Sequence, residues 1–181
     1  MTVIPARPLE TQRMILEPLA QRHAAGPYLA WMNEPGVTRY MESRFRGHSR
    51  EELERFIADA NAAESTLLLG MFLKDDGGRH IGNVKLAIDP PHRRAELGLM
   101  IGEPSAWGQG LGTEAIDAVT RHAFAALGMH KVTAGCYGDN AASLRAFLKA
   151  GFAQEGVRPS HYRSGDVWVD MVLLGKINPD D

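Results

Sequence analysis

Between Thr66 and Ile101 the chain makes three β-rich runs with very little sequence between them. Thr66 to Lys74 and His80 to Ile88 flank Asp75-Asp76-Gly77-Gly78, a hairpin signal, and Asp89-Pro90-Pro91-His92-Arg93 turns the chain again into Arg94 to Ile101. Connections this short suit antiparallel neighbours, because a parallel return needs roughly a dozen residues or more. The third run leads straight into Trp107-Gly108-Gln109-Gly110-Leu111-Gly112-Thr113-Glu114-Ala115. From Leu111 the residues Leu111, Ala115, Ala118, Val119, His122 and Ala126 recur at helical spacing, and Gly128 suits the position after the helix end. An antiparallel meander must therefore feed a glycine-rich helix start.

Glycine is costly in ordered structure, so three alternating glycines imply unusual φ values or a close approach to the main chain. A helix start offers free N–H groups and the positive end of the macrodipole, which suits an anion such as phosphate. The alternative is a tight turn with no ligand. Two common nucleotide loops do not fit. A dinucleotide loop needs a glycine where Thr113 stands and a parallel unit ahead of it, and a P-loop needs Lys-Ser or Lys-Thr where Gly112 is followed by Thr113-Glu114.

The rest of the chain supplies the partners of this core. Arg13 to Leu19 reads as a strand ending at Pro18, and Gln21 to Met32 as a helix before Asn33-Glu34-Pro35-Gly36. Ser49 and Glu52 form a capping box for a helix to about Ala63. His130 to Tyr137 reads as a strand, Asp139 or Asn140 caps a helix to Ala150, and Gly151 ends it. Phe152 to Val157 and Asp166 to Leu174 read as a closing hairpin. At 181 residues and 44% hydrophobic, with no linker or repeat, the chain is expected to form a single domain over 1–181 with flexible ends at 1–8 and 176–181.

Composition removes several function classes. A formal charge of -2 argues against a nucleic-acid binder that relies on a basic surface. One cysteine excludes an intrachain disulfide, and the seven histidines show no ligand spacing, so no metal is expected. The longest apolar stretch, Thr66 to Leu73, is too short for a membrane span, and a cytoplasmic location is expected.

The order of elements and four segments resemble the GCN5-related N-acetyltransferases (GNAT), in the branch that includes the ribosomal-protein N-terminal acetyltransferases RimJ and RimL. The segments are Leu9 to Tyr40, His80 to Ile88, Ala95 to Ala115 and Asn140 to Phe152 (NAASLRAFLKAGF). The resemblance implies an α/β (α+β) fold with a mixed, mostly antiparallel sheet of about six to seven strands flanked by about four helices. It also implies acetyl-CoA as cosubstrate, with its pyrophosphate on the main chain of Gln109, Gly110, Leu111, Gly112 and Thr113. The strand Leu97 to Ile101, with Leu99 and Ile101, would bond the pantetheine arm through its free backbone groups. Trp107 stands where the family pattern often has Gln or Arg, which removes one cation from the loop.

Direct attack of an amine on a thioester needs a neutral amine and a proton for the departing thiolate. At pH 7 an α-amine of pKa ~8 is deprotonated at a cost of about 1.4 kcal/mol, against about 4.6 kcal/mol for a lysine of pKa ~10.4. By resemblance Glu96, on the strand next to the cofactor, falls where related acetyltransferases often place a base acting directly or through water; otherwise it is a plain solvated residue alternating with Ala95 and Leu97. His161, expected in a hairpin loop over Arg158 to Arg163, falls by resemblance close to where RimL-like members carry a base, though with a different residue type; otherwise it is merely exposed. By resemblance Ser143 falls near the coenzyme sulfur as a candidate acid; otherwise it is an ordinary first-turn serine. The tyrosine that many members use as acid is replaced by Phe147, which is core or lines the cofactor. Asn140 caps its helix, contacts the pantetheine, or does both. Arg145 and Lys149 meet the 3′-phosphate or are helix-surface charge. No base is placed to make Cys136 a nucleophile.

The implied acceptor is a primary amine: a protein N-terminus, an amino-sugar on a nucleotide carrier, a polyamine or another small amine. The resemblance raises a homodimer as an expectation. A non-catalytic acyl-CoA binding or sensing module of the same fold is the alternative.

Overall fold

The computed structural model describes residues 3–181, and its eight strands form one sheet in the order β1-β2-β3-β4-β5-β6-β8-β7. The strands β1 (Leu9–Glu10) and β2 (Met14–Pro18) are followed by α1 (Pro27–Met32), α2 (Pro35–Thr38) and α3 (Arg50–Ala62). The meander is β3 (Thr66–Leu73), β4 (His80–Asp89) and β5 (Arg94–Ile101). Then come α4 (Leu111–Ala125), β6 (Lys131–Tyr137), α5 (Ala141–Lys149), β7 (Ala153–Ser164) and β8 (Val167–Ile177). The sheet is mixed and mostly antiparallel, with β5 and β6 as its parallel pair. It has more elements than expected because β1 is two residues long and α2 four, too short for any periodicity to be read.

Two local expectations are corrected. The helix expected over Gln21 to Met32 is a 3₁₀ turn, Gln21–Ala25, followed by α1, because Pro27 has no N–H to donate and Gly26 before it is extended at φ -88 and ψ -152. The loop expected over Arg158 to Arg163 is part of β7, so His161 lies on a strand. A bulge between Arg158 and Tyr162 hides that strand, with Ser160 at φ +48 and its N–H donating to Asp170 Oδ1 at 2.9 Å. The bulge and Pro159 break the alternation that marks a strand.

Alternation along the strands divides the apolar residues between two cores. Ala95 and Leu97 of β5 join Leu111, Ile116 and Val119 of α4 and Phe147 of α5 in the larger core. The opposite face of the sheet carries a smaller core in which Leu68 meets Tyr28, Trp31, Leu53 and Ile57 from α1 and α3. Glu96 and Gly98 lie on that second face, since successive strand residues point to opposite sides. Toward the chain ends, Val3 is buried in the larger core, Lys176 and Ile177 complete β8, and the Asp181 carboxylate accepts a hydrogen bond from Arg93 at 2.6 Å. Residues 1 and 2 of the expected N-terminal flexible stretch lie outside the described residues.

Gly102 joins the two cores at the end of β5. Its N–H donates to Ile81 at 2.9 Å, and a Cβ there would run into the Trp31 indole of α1. Gly102→Ala is expected to destabilise the fold by about 1–3 kcal/mol through overpacking, read as a lower urea midpoint. An unchanged midpoint would contradict this packing.

Candidate active site

The parallel pairing of β5 with β6 covers Arg94–Lys131, Ala95–Val132 and Glu96–Thr133. Past those pairs β5 continues to Ile101 bonded to β4, while β6 continues to Tyr137 bonded to β8. Among the described residues, Leu97 to Ile101 thus have no strand partner on the β6 side, and a wedge opens between the two strands. Backbone groups left unpaired in this way need a partner from water or from a ligand strand.

The start of α4 lies beside this wedge. Gly108 and Gly110 take φ values of +73 and +82, in the left-handed region that favours glycine. Gly110 is the N-cap, and among the described residues no side chain caps this start. The first helical bond is Glu114 N–H to Gly110 C=O, so the N–H groups of Leu111, Gly112 and Thr113 open outward. By contrast, α3 has its Ser49–Glu52 capping box, and the Asn140 side chain of α5 accepts the Ser143 N–H at 3.2 Å. Gly112 needs no special φ, and a Cβ there would reach only ordinary contact with Leu99, Ile101 and Ala146. No protein atom requires glycine at that position. A groove of about 380 Å³ continues from here, lined by Gly110, Thr113, Glu114, Asp117, Lys149 and Ala150.

The candidate proton-handling residues lie on the two sides of β6. Ser143 Oγ is 3.2 Å from Cys136 Sγ, on the α5 side of β6. Cys136 is buried, and burial pushes its thiol up against the smaller opposing effect of Ser143. Tyr137, next along β6, points to the other face and stacks on Tyr162 with ring centroids 3.9 Å apart and an angle of 9°. His161 is exposed and meets the Tyr162 ring edge-on at 4.8 Å. The Tyr162 hydroxyl is pushed up to about 12 by burial and by the Glu42 carboxylate beside it, with Tyr137 and Glu96 adding. Glu96 is itself exposed. Arg44 ties this end together, donating to the Tyr137 hydroxyl at 2.6 Å, to Met41 C=O at 2.9 Å and to Arg163 C=O.

Phe147 is 2% exposed and packs edge-on against Phe152, so it belongs to the core. Trp107 is exposed, and its indole N–H donates to Ile101 C=O at 2.8 Å, fixing the loop to the end of β5. Arg145 is exposed on α5.

Residues 13–153 match the model of the acetyltransferase (GNAT) domain. The chain belongs to the GNAT acetyltransferase family. It is 33% identical over 164 residues to YoaA, an uncharacterized N-acetyltransferase of Bacillus subtilis, covering 87% of this chain and 89% of that one. Among solved structures, RimL, a ribosomal L7/L12 alpha-N-protein acetyltransferase in complex with coenzyme A, has a TM-score of 0.84 at 19% identity, covering 97% of this chain and 100% of that one. Spermidine N-acetyltransferase from Vibrio cholerae, in complex with CoA and spermine, has a TM-score of 0.81 at 19% identity, covering 92% and 96%. At that identity the two structures speak for the fold alone.

This GNAT protein is an acetyl-CoA-dependent N-acetyltransferase. The uncapped N–H groups of α4 and the unpaired edge of β5 fit a long anionic thioester. Among the described residues there is no group of three or more His, Cys, Asp or Glu that could hold a metal ion, and no helix is long and apolar enough to cross a membrane. Sequence reading missed Tyr137, Tyr162, Glu42 and Arg44, which lie in separate segments. The one local signal was that Tyr162 directly follows His161.

The Cys136 environment makes the thiol a poor nucleophile. The single thiol is expected to react with an aromatic disulfide reagent at least about tenfold more slowly in native buffer than in urea. Equal rates would contradict its burial.

Proposed function

We propose that this acetyltransferase modifies the α-amine of a peptide or protein N-terminus and belongs to the RimJ/RimL-like branch. In this reading the N–H groups of Gln109, Gly110, Leu111, Gly112 and Thr113 hold the pyrophosphate of acetyl-CoA. The free backbone of Leu99 and the N–H of Ile101, whose C=O is already held by Trp107, take the pantetheine arm, Asn140 contributes its amide, and Lys149 meets phosphate from the groove. The observation that carries this reading is an uncapped glycine helix start opening onto an unpaired strand edge. The cosubstrate supplies an activated acetyl thioester.

The two faces of β6 support a division of labour. Ser143, on the α5 side, protonates the departing thiolate. Glu96 and His161, both at Tyr162 on the other side, are the groups that take the amine's proton, directly or through water. Both are exposed. An α-amine, about 1.4 kcal/mol from neutrality at pH 7, asks less of such groups than a lysine at about 4.6 kcal/mol. The carboxylates of Glu42 and Glu96 and the tyrosine rings around them suit an approaching ammonium group. The alpha-N-protein activity in RimL's name favours the same acceptor class, while the spermidine enzyme keeps polyamines as the comparison to beat.

The test is thiol release from acetyl-CoA with ribosomal N-terminal peptides, polyamines and amino-sugar nucleotides. Peptides should give the highest kcat/KM, and a preference for polyamines or amino-sugars would overturn the acceptor assignment. Ser143→Ala should lower kcat about tenfold or more while changing acetyl-CoA affinity less than about twofold. An unchanged kcat removes Ser143 from the chemistry. Gly110→Glu should abolish acetyl-CoA binding by setting a side chain and a negative charge at the helix start; normal affinity in a folded variant would refute the loop assignment.

A further inference from the structure

The glycine loop is anchored from outside by a residue 96 positions away in sequence. Arg13 stands between β1 and β2, and its Nη2 donates to the Gln109 C=O at 2.8 Å. The same guanidinium grips Glu114 of α4, with Nε to Oε1 at 2.6 Å and Nη2 to Oε1 at 2.6 Å. The other carboxylate oxygen, Oε2, accepts from Thr11 Oγ1 at 2.8 Å and from the Arg13 N–H at 3.2 Å. Burial pushes the Glu114 carboxyl up, but these donors outweigh it and hold the group below its ordinary value.

The geometry has two consequences for the loop. Gln109 lies between Gly108 and Gly110, whose torsions leave the intervening peptides free to turn unless something holds them. In a trans peptide the C=O and the following N–H point in opposite directions. Holding the Gln109 C=O on the guanidinium therefore aims the Gly110 N–H to the other side. Gln109 Nε2 on Ser105 C=O, at 2.6 Å, is a second tether on the same residue. The second consequence is electrostatic. Glu114 lines the groove beside the helix start, where its charge would oppose an anion, and Arg13 cancels it there.

We infer that Arg13 is a positioning residue for the cosubstrate: it sets the Gln109–Gly110 peptide and cancels Glu114, so that the loop receives the pyrophosphate. The inference rests on the pyrophosphate reading of the loop. Arg13 acts through the loop and touches no reacting atom.

The experiment measures calorimetric affinity for acetyl-CoA and for S-acetylpantetheine, which lacks the pyrophosphate, in wild type, Arg13→Ala and Arg13→Lys. Arg13→Ala should weaken acetyl-CoA about tenfold and S-acetylpantetheine less than about twofold. Arg13→Lys keeps the charge without the planar fork and should still lose about threefold on acetyl-CoA alone; it decides the matter if the alanine variant does not fold. Wild-type affinity for acetyl-CoA in the folded variants, or equal loss for both thioesters, overturns the positioning role. Wild type binding the two thioesters equally well would instead overturn the pyrophosphate reading, and the positioning role with it.

Discussion

The site depends on two parallel strands that stop pairing. After Glu96 and Thr133 the β5 backbone keeps its bonds to β4 on one side and loses its neighbour on the other. Unpaired backbone groups at the centre of a sheet are costly unless water or a ligand satisfies them, so the separation has to be maintained by something else. On the β6 side, seven pairs from Lys131–Ile177 to Tyr137–Met171 commit that strand to β8. Arg44 then fixes its far end through the Tyr137 hydroxyl. On the β5 side, the Leu99 and Ile101 side chains pack toward Gly112 at the start of α4.

The electrostatics of this wedge are local. The chain carries a formal charge of -2, so an anionic cosubstrate gains nothing from its net charge. What the structure provides is a helix end with free N–H groups and an acidic neighbour, Glu114, already paired. A glutamate in the first turn favours helix formation, yet the same charge would oppose a bound phosphate. Pairing it with Arg13 keeps the first effect and removes the second. The other side of β6 has the opposite character, with Glu42 and Glu96 near stacked tyrosines.

Sequence reading worked where signals were local. The meander, the α4 start and the Ser49 capping box follow from turns, spacing and caps within a few residues. The candidate site residues on β5, α4 and α5 were named for the same reason: each belongs to a contiguous motif. It fell short where geometry depends on distant partners. Nothing in the local pattern around Arg13 indicates that it holds Gln109, and nothing around Arg44 indicates Tyr137. The bulge at Ser160 erased the alternation of β7, which is why His161 read as a loop residue. Phe147 reads by sequence as core or cofactor lining; in the structure it is buried against Phe152.

The central claim is that the cosubstrate completes the unpaired β5 edge and the uncapped α4 start. Backbone amide hydrogen exchange with and without acetyl-CoA tests it most directly. The account predicts slowed exchange concentrated in residues 97–101 and 109–113, the two segments whose backbone groups would gain partners. Protection confined to other parts of the chain, with these two segments exchanging as fast as in the free enzyme, would contradict it.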